Sequence, residues 1–214
     1  MSIRFFAVVW LAGGVAVASC APAVAAPSKA ERVSEEVYVV RDEEGNWGGG
    51  SMGMTHQRGP DYQARKVLDC SAMPEEFWNA ATQVRLSAYF CVRDYSRHDA
   101  PPANGLDESL EILVNGKAHR IPIKIGVPVY VEGKPMGSLM RWHDFALPKE
   151  QFVRGPNTIV FRMVAPEGKK PDDYLYLGID NTVPGGNSWV RFSAGAKWQQ
   201  DRLTAPGGKG EYMV

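Results

Sequence analysis

Apolar and polar residues alternate along several stretches of the chain, most clearly over residues 82–92. Every second position of this stretch is apolar, and the apolar set is Val84, Leu86, Ala88, Phe90 and Val92. The positions between them hold Arg85, Ser87, Tyr89 and Cys91. Because successive side chains of a β-strand point to opposite faces, the pattern predicts a half-buried strand with one face in the core.

Other stretches with this alternation, or with continuous apolar residues, follow along the chain. Turn signals such as Asn115-Gly116 and Gly155-Pro156-Asn157 separate them. The further predicted strands cover residues 37–40, 110–114, 119–125, 127–131, 142–147, 158–164, 174–179, 189–192 and 210–214. Many short strands joined by tight turns predict an all-β fold in which two antiparallel sheets form a sandwich.

Three segments lack the period of a strand. Residues 42–60 are rich in glycine and predict a long surface loop, which contains Trp47. Residues 74–81 begin with a proline and two glutamates, as expected for a short helical turn. Residues 26–36 are polar and predict a flexible leader. We therefore expect a single β-sandwich domain over residues 37–214.

The N-terminus has the features of an export signal. Arg4 precedes an apolar run over residues 5–18, which is shorter than the about 20 residues that a membrane span requires. Two cleavage sites fit the sequence. The Ala-Val-Ala of residues 23–25 suits the ordinary signal peptidase and would define a signal peptide of residues 1–25.

The second cleavage site is Val-Ala-Ser-Cys at residues 17–20, which resembles a bacterial lipobox. Cleavage there would remove residues 1–19 and leave a lipidated Cys20 as the first residue. Both alternatives predict an exported protein, extracellular or periplasmic, and the second predicts a lipoprotein anchored to the membrane. Neither predicts a transmembrane span in the mature chain.

Cysteine usage agrees with export. Of the three cysteines, Cys20 is removed or lipidated under either cleavage, so Cys70 and Cys91 remain as a pair. In an oxidising compartment this pair predicts a disulfide that closes a loop of about 20 residues and stabilises the fold by roughly 3 kcal/mol. Free thiols are the alternative. A metal site is not expected, because no further ligands occur at a suitable spacing.

The charge balance argues against a nucleic-acid partner. The chain has 24 basic and 24 acidic residues, so the basic excess that binds a phosphate backbone is lacking. The 22 glycines and 15 prolines suit many tight turns, and the 44% of apolar residues is enough for a folded core.

Four segments together resemble the galactose-binding-domain-like jelly roll, the sandwich of many carbohydrate-binding modules and of the sugar-binding domain of β-galactosidases and β-glucuronidases. The segments are VRLSAYFCV, LEILVNGK, WHDFALP and GPNTIVFRM, within about residues 80–165. The resemblance implies a jelly-roll sandwich with a carbohydrate ligand. Relatives often hold a structural calcium, but this chain lacks a dense acidic loop, so no cofactor is predicted.

Aromatic and polar residues near turns are the candidates for a sugar site, because flat rings stack on the C–H faces of a pyranose. Trp189 lies beside the turn-rich residues 182–188, and Asp180 and Asn181 precede them. Together with Trp142 they form the predicted ligand site, at the loop end of the sandwich. The alternatives are that the tryptophans pack against the protein and that Asp180 and Asn181 form an Asx turn.

No catalytic arrangement is evident. A Gly-x-Ser-x-Gly elbow is absent, and His143 and Asp144 are neighbours on a predicted strand, so their side chains point to opposite faces. We therefore expect a non-catalytic, exported module that binds carbohydrate. The alternatives are a structural or assembly protein of the bacterial cell envelope that binds a protein partner, and a small hydrolase.

Overall fold

The structure is a computed structural model that describes residues 2–5, 28–48, 54–58, 61–94, 106–122, 128–131, 134–169, 171–203 and 208–214. In chain order its strands are β1 (Ser2–Phe5), β2 (Lys29–Ser34), β3 (Val37–Arg41), β4 (Met54–Arg58), β5 (Gln63–Asp69), β6 (Gln83–Asp94), β7 (Ser109–Val114), β8 (Lys117–Pro122), β9 (Pro128–Val131), β10 (Lys134–Ser138), β11 (Arg141–Leu147), β12 (Pro156–Val164), β13 (Asp173–Asp180), β14 (Ser188–Arg191) and β15 (Glu211–Tyr212). Helix α1 (Glu75–Ala80) follows a 3₁₀ turn at Cys70–Ala72, and a second 3₁₀ turn lies at Lys149–Gln151. The predicted all-β class and two-sheet sandwich are confirmed, whereas the jelly-roll connectivity stays a prediction.

The smaller sheet has five antiparallel strands in the order β14-β5-β12-β7-β8. Strands β7 and β8 form a hairpin at Asn115-Gly116, where both residues have positive φ, 49° and 85°. An Asn-Gly pair tolerates this conformation, which two-residue hairpin turns require. The predicted turn at this position is therefore confirmed.

The larger sheet has ten strands, and the long strand β6 is its centre. Strand β11 pairs antiparallel with the first part of β6, and β13 pairs antiparallel with its last part. Strand β1 lies parallel to both β3 and β6. Among the described strands, β11 is an edge strand of the larger sheet and β8 is an edge strand of the smaller sheet.

The core lies between the two sheets and is built by the alternating residues that the sequence indicates. Strand β6 contributes Val84, Leu86, Ala88, Phe90 and Val92 from the larger sheet. Strands β7 and β12 contribute Leu110, Ile112, Val114, Ile159, Phe161 and Met163 from the smaller one. All of these side chains are fully buried, and the burial of apolar surface is the main term that holds the sheets together.

Two segments differ from their predictions. Residues 29–34 of the predicted flexible leader form strand β2, which pairs with β3, and residues 54–58 of the predicted loop form β4, which pairs with β13. Neither segment shows apolar alternation in its sequence, since β2 reads Lys-Ala-Glu-Arg-Val-Ser and β4 reads Met-Thr-His-Gln-Arg. Strand β2 is also exposed along almost its whole length. Backbone pairing to a neighbouring strand holds both in place, and a hydrophobic pattern does not reveal it.

Parts of the export prediction fall outside the described residues. Cys20 and the cleavage site at residues 23–25 lie there, so both cleavage alternatives stay predictions. Residues Ser2–Phe5 of the predicted signal segment are described as strand β1. Among the described residues, no helix has the length and apolar character needed to cross a membrane.

The two cysteines differ from the predicted disulfide, because both are free and buried. Cys70 belongs to the core between the sheets, where burial raises the pKa of its thiol well above the usual value. Cys91 alternates with the core residues Phe90 and Val92 on β6, so it lies on the opposite face of that strand. Cys91 thus does not face the core that contains Cys70, and the disulfide between them stays a prediction.

Candidate functional site

Three aromatic side chains form a continuous strip on the outer face of the larger sheet, and we call this strip the aromatic platform. Its members are Trp47, Tyr89 and Trp142. Tyr89 and Trp142 are directly opposite each other on β6 and β11, with ring centroids 5.5 Å apart. Trp47 also contacts Tyr89, in an edge geometry with ring centroids 5.6 Å apart. The alternation that buries Phe90 is what turns Tyr89 outward.

The two ends of the aromatic platform are open to solvent. Trp142 is 40% exposed and Trp47 is 38% exposed, which is high for tryptophan. Tyr89 between them is half-buried. Because the exposed rings are fixed by ring-to-ring contacts, they offer preformed flat apolar surface for a ligand.

A glycine sets the position of Tyr89. Gly178 on β13 lies under the tyrosine ring, and a Cβ at this position would come within 2.7 Å of Tyr89 Cδ1 and 3.1 Å of the Tyr89 carbonyl oxygen. Real Cβ atoms essentially never approach other atoms so closely. The absence of a side chain at Gly178 therefore lets Tyr89 lie against the sheet.

A row of polar side chains continues the same face next to the aromatic platform, and we call it the polar row. It consists of Arg85, Ser87 and Asp144. Ser87 Oγ donates a hydrogen bond to Asp144 Oδ1 at 2.5 Å, and Arg85 Nη1 lies 3.5 Å from Asp144 Oδ2. The Asp144 side chain is 46% exposed, so its oxygens also reach solvent. Cross-strand pairing of Asp144 with Ser87, next to the pair of Trp142 and Tyr89, places the polar row beside the rings.

Asp180 binds the backbone of the segment that carries Trp47. Its side chain is buried, and Oδ2 accepts hydrogen bonds from the backbone N–H groups of Glu44 and Asn46, at 2.7 and 3.2 Å. Oδ1 accepts hydrogen bonds from both the backbone N–H and the hydroxyl of Thr182. These bonds form an Asx turn, which the sequence offered as the alternative to a ligand-binding role of Asp180. A backbone bridge between Trp47 and Asp180 completes the attachment of this segment to β13.

The hydrogen bonds also explain the charge state of Asp180. Burial by itself raises the pKa of this carboxyl, but the hydrogen bonds from Thr182, Glu44 and Asn46 outweigh burial and lower it below the usual range. Asp180 is therefore an ionised carboxylate whose two oxygens are engaged by the protein. Asn181, the next residue, is exposed, and its side-chain amide lies against the backbone of Gly48.

Trp189 lies far from this arrangement in the fold, on the outer face of the smaller sheet. The guanidinium of Arg65, its cross-strand partner on β5, lies 4.2 Å above the centre of the Trp189 ring. The same guanidinium lies 4.7 Å from the ring of Trp198, and Arg191 lies 4.8 Å from Trp198. Burial and the nearby Arg191 charge lower the pKa of Arg65 to about 10. The ring faces of these tryptophans are thus occupied by arginines.

The structure thus separates the four predicted ligand residues. Trp142 is part of the aromatic platform, Asp180 holds the segment that carries Trp47, and Asn181 adjoins that segment, whereas Trp189 is on the other sheet. Of the six residues of the aromatic platform and the polar row, only Trp142 was predicted as a ligand residue, and Trp47, Tyr89, Arg85, Ser87 and Asp144 were not. The alternation of residues 82–92 contains the signal for Tyr89, because it already places this residue on the polar face.

A cleft separates the two edge strands and adjoins the polar row. It has a volume of about 540 Å³ and is lined by residues 118–121 of β8 and residues 144–147 of β11. Asp144 belongs to both the cleft and the polar row. The cleft therefore continues the same surface from the outer face of the larger sheet toward the edge of the sandwich.

His143 and Asp144 are neighbours on β11, next to the polar row. His143 is buried on the inner face of β11, stacked on Phe90 at 4.1 Å, and burial lowers its pKa to about 4. Its neighbour Asp144 is exposed on the outer face, so the two side chains point apart as the sequence predicts. Within the described part of the chain, no group of three or more histidine, cysteine or acidic side chains is arranged to hold a metal ion.

Comparison with known proteins does not assign the chain to a family. No protein-family model matches it, and searches of curated proteins and of solved structures likewise gave no match.

Proposed function

We propose that the protein is a non-catalytic, exported module that binds carbohydrate on the outer face of its larger sheet. The observation that carries the proposal is the aromatic platform, in which Trp47 and Trp142 are fixed against Tyr89 with ring surface open to solvent. Fixed, exposed tryptophans are unfavourable in water, and a pyranose ring would cover them with its C–H face.

The polar row supplies the second half of a sugar site. The Asp144 carboxylate is an acceptor for sugar hydroxyls, and Ser87 and Arg85 orient it from the neighbouring strand. Apolar surface with a few convergent polar groups is the usual composition of a small-molecule site. The resemblance of the four sequence segments to the galactose-binding-like jelly roll supports the same ligand class, and the signal segment supports export.

A glycan array followed by calorimetry tests this function directly. The wild-type protein should bind one family of glycans, and Trp142→Ala should weaken the affinity by about 2 kcal/mol, roughly 30-fold, because hot-spot tryptophans contribute on this order. Tyr62→Ala is the matched control, because Tyr62 is a similarly exposed aromatic that contacts Phe192 outside the platform. The control should bind like the wild type. Equal losses in the two variants would contradict the proposed site.

A protein partner is the second candidate, and the cleft between β8 and β11 favours it. Each of these strands pairs on one side only among the described strands, so backbone groups at the cleft are available to an added strand. Ala118→Arg would fill the cleft from β8, on the sheet that does not carry the polar row. Strand addition predicts a blank glycan array and a partner interaction that this variant abolishes, whereas carbohydrate binding at the platform survives it.

A further inference from the structure

A lysine is completely buried between the two sheets, away from the aromatic platform. Lys66 on β5 has no exposed surface, and its Nζ contacts Asp42 Oδ1 and lies 2.5 Å from Glu211 Oε2. Ser188 Oγ is 3.4 Å from the same nitrogen. The Asp42 and Glu211 side chains are only 2% and 3% exposed. An amine and two carboxyl groups are therefore held together in a site without water access.

Further donors orient the two carboxyl groups. Asn187 Nδ2 donates to Asp42 Oδ2 at 2.8 Å, opposite the oxygen that Lys66 contacts. The Asn187 backbone N–H donates to Glu211 Oε1 at 2.7 Å, and Ser188 Oγ lies 2.6 Å from Glu211 Oε2. Both carboxyl groups thus have fixed orientations, and the amine lies between them.

We propose that Lys66 and Asp42 condense into an intramolecular amide bond, with Glu211 as the proton carrier and the Asn187 side chain as the donor to the developing oxyanion. Asp42 directly follows β3 of the larger sheet, and Lys66 belongs to β5 of the smaller one. The bond would join the two sheets covalently. The modification is independent of the proposed carbohydrate site.

The reaction balances without any external reagent. The Glu211 carboxylate takes one proton from the Lys66 ammonium, and the freed amine attacks Cγ of the protonated Asp42 carboxyl. Asn187 Nδ2 stabilises the negative oxygen of the tetrahedral intermediate. Glu211 then gives its proton to the hydroxyl, the C–O bond breaks and one water leaves. The nitrogen loses its last extra proton to Glu211, which ends as a carboxylic acid beside the new amide.

The protonation states suit this sequence of steps. Burial, together with the nearby Glu211 charge and against the opposing effect of Lys66, raises the pKa of Asp42 to about 7. A share of Asp42 is thus the carboxylic acid that the step needs. Burial by itself lowers the pKa of Lys66, but contacts with Asp42 and Glu211 outweigh it and raise the pKa. The amine therefore begins as an ammonium, and a proton acceptor such as Glu211 is required.

The close contact between the Lys66 amine and the Asp42 carboxyl group is the reason to expect amide formation at this buried ion pair. Reacting groups held in contact behave as if at an effective concentration of about 10⁵–10⁸ M. The fold holds Lys66 Nζ in contact with the Asp42 carboxyl group. The site also excludes the bulk water that would hydrolyse the amide bond. Once the single water released by the reaction has left, the bond persists.

Mass spectrometry of the denatured, full-length expressed chain decides the proposal. The wild-type protein should be lighter than its own sequence by one water, and proteolysis should yield a branched peptide in which Asp42 is linked to Lys66. A wild-type mass equal to that of the sequence, with the two peptides separate, overturns the proposal. This measurement needs no variant, so it stands whether or not the variants fold.

Variants identify the roles of the residues. Asp42→Ala removes the carboxyl group that the Lys66 amine attacks. The measured mass of this variant should therefore equal the mass of its sequence, with no loss of water. Glu211→Gln keeps the shape of the side chain but cannot take the proton, so it should also show no loss of water. The matched control is Glu111→Gln, since Glu111 is an equally buried glutamate that pairs with Arg162 and Arg120 elsewhere. The control should lose one water. Full condensation in folded Glu211→Gln would overturn the role of Glu211.

Discussion

The two outer faces of the sandwich both carry tryptophans, but the rings differ in how far they are exposed to solvent. On the larger sheet, the ring of Trp142 packs at a tilt of 57° against Tyr89, and 40% of the Trp142 surface is exposed. On the smaller sheet, the guanidinium of Arg65 lies over the faces of both Trp189 and Trp198. Residue type is the same on the two faces, whereas Trp47 and Trp142 are exposed and Trp189 and Trp198 are half-buried.

A cation on the face of a surface tryptophan changes what a ligand must displace in order to stack on that ring. A guanidinium on the ring face gains a cation–π interaction of about 0.5–2 kcal/mol, and a ligand would have to displace it. We therefore propose the larger sheet as the ligand-binding face, and we interpret Trp189 as part of a stabilising cluster.

The largest effect is expected from Gly178→Ala, which disturbs the aromatic platform itself. The new Cβ would lie 2.7 Å from Tyr89 Cδ1 and 3.1 Å from a backbone oxygen, so the ring and the strand must both shift. Overpacking of this kind costs about 1–3 kcal/mol of unfolding free energy. Denaturant unfolding measures it, and glycan affinity should fall as well. Gly155→Ala is the control, since its nearest neighbour is 4.0 Å away, and a similar loss there would refute the account of Gly178.

Asp144→Ala should act on binding and leave the fold intact. An acceptor that bonds a sugar hydroxyl as a charged group contributes about 1.5–3 kcal/mol, so calorimetry should show a loss of roughly tenfold or more. The exposed ion pair with Arg85 adds little to stability. Glu150→Ala, a change of another exposed carboxylate, is the control. Unchanged affinity in Asp144→Ala would exclude the polar row from the site.

Trp189→Ala should give the reverse result, a loss of stability without a loss of binding. Removing the ring deletes its contact with Arg65, which is worth about 1 kcal/mol. Thermal or denaturant unfolding should show this decrease, and glycan affinity should equal that of the wild type. If Trp189→Ala abolished binding instead, the loop-end site expected from the sequence would be correct and the site on the larger sheet would be wrong.

The smallest effect is expected from Arg65→Gln, which uncovers the tryptophans of the smaller sheet. Acrylamide should quench the intrinsic fluorescence more strongly than in the wild type, because the ring faces of Trp189 and Trp198 become open. Stability should change by about 1 kcal/mol or less. Quenching identical to the wild type would mean that Arg65 does not shield the rings.

The sequence predicts the central strands better than the peripheral ones, for a physical reason. Strands β6, β7 and β12 each bury one face, so selection for a core leaves apolar alternation in their sequences. Strands β2 and β4 are held by backbone hydrogen bonds to a neighbour, and such bonds do not depend on the side chain. A polar segment that pairs at an edge therefore looks like a loop.

The candidate site was predictable only in part. The sequence identifies Trp142 as a candidate, and the alternation of β6 already places Tyr89 on the solvent side. It does not show that Arg65 lies across from Trp189, because this contact depends on the register between β5 and β14, which are more than a hundred residues apart in the chain. The side-chain environment of a buried lysine such as Lys66 depends on pairing between distant strands in the same way.

The most direct test is an NMR titration of the tryptophan indole N–H signals with a glycan that binds on the array. The account predicts that the signals of Trp142 and Trp47 shift in proportion to saturation, while those of Trp189 and Trp198 stay in place. Assignment uses the single-residue variants. Shifts confined to Trp189 and Trp198 would contradict the assignment of the ligand to the larger sheet, and the absence of any bound glycan would contradict the carbohydrate function itself.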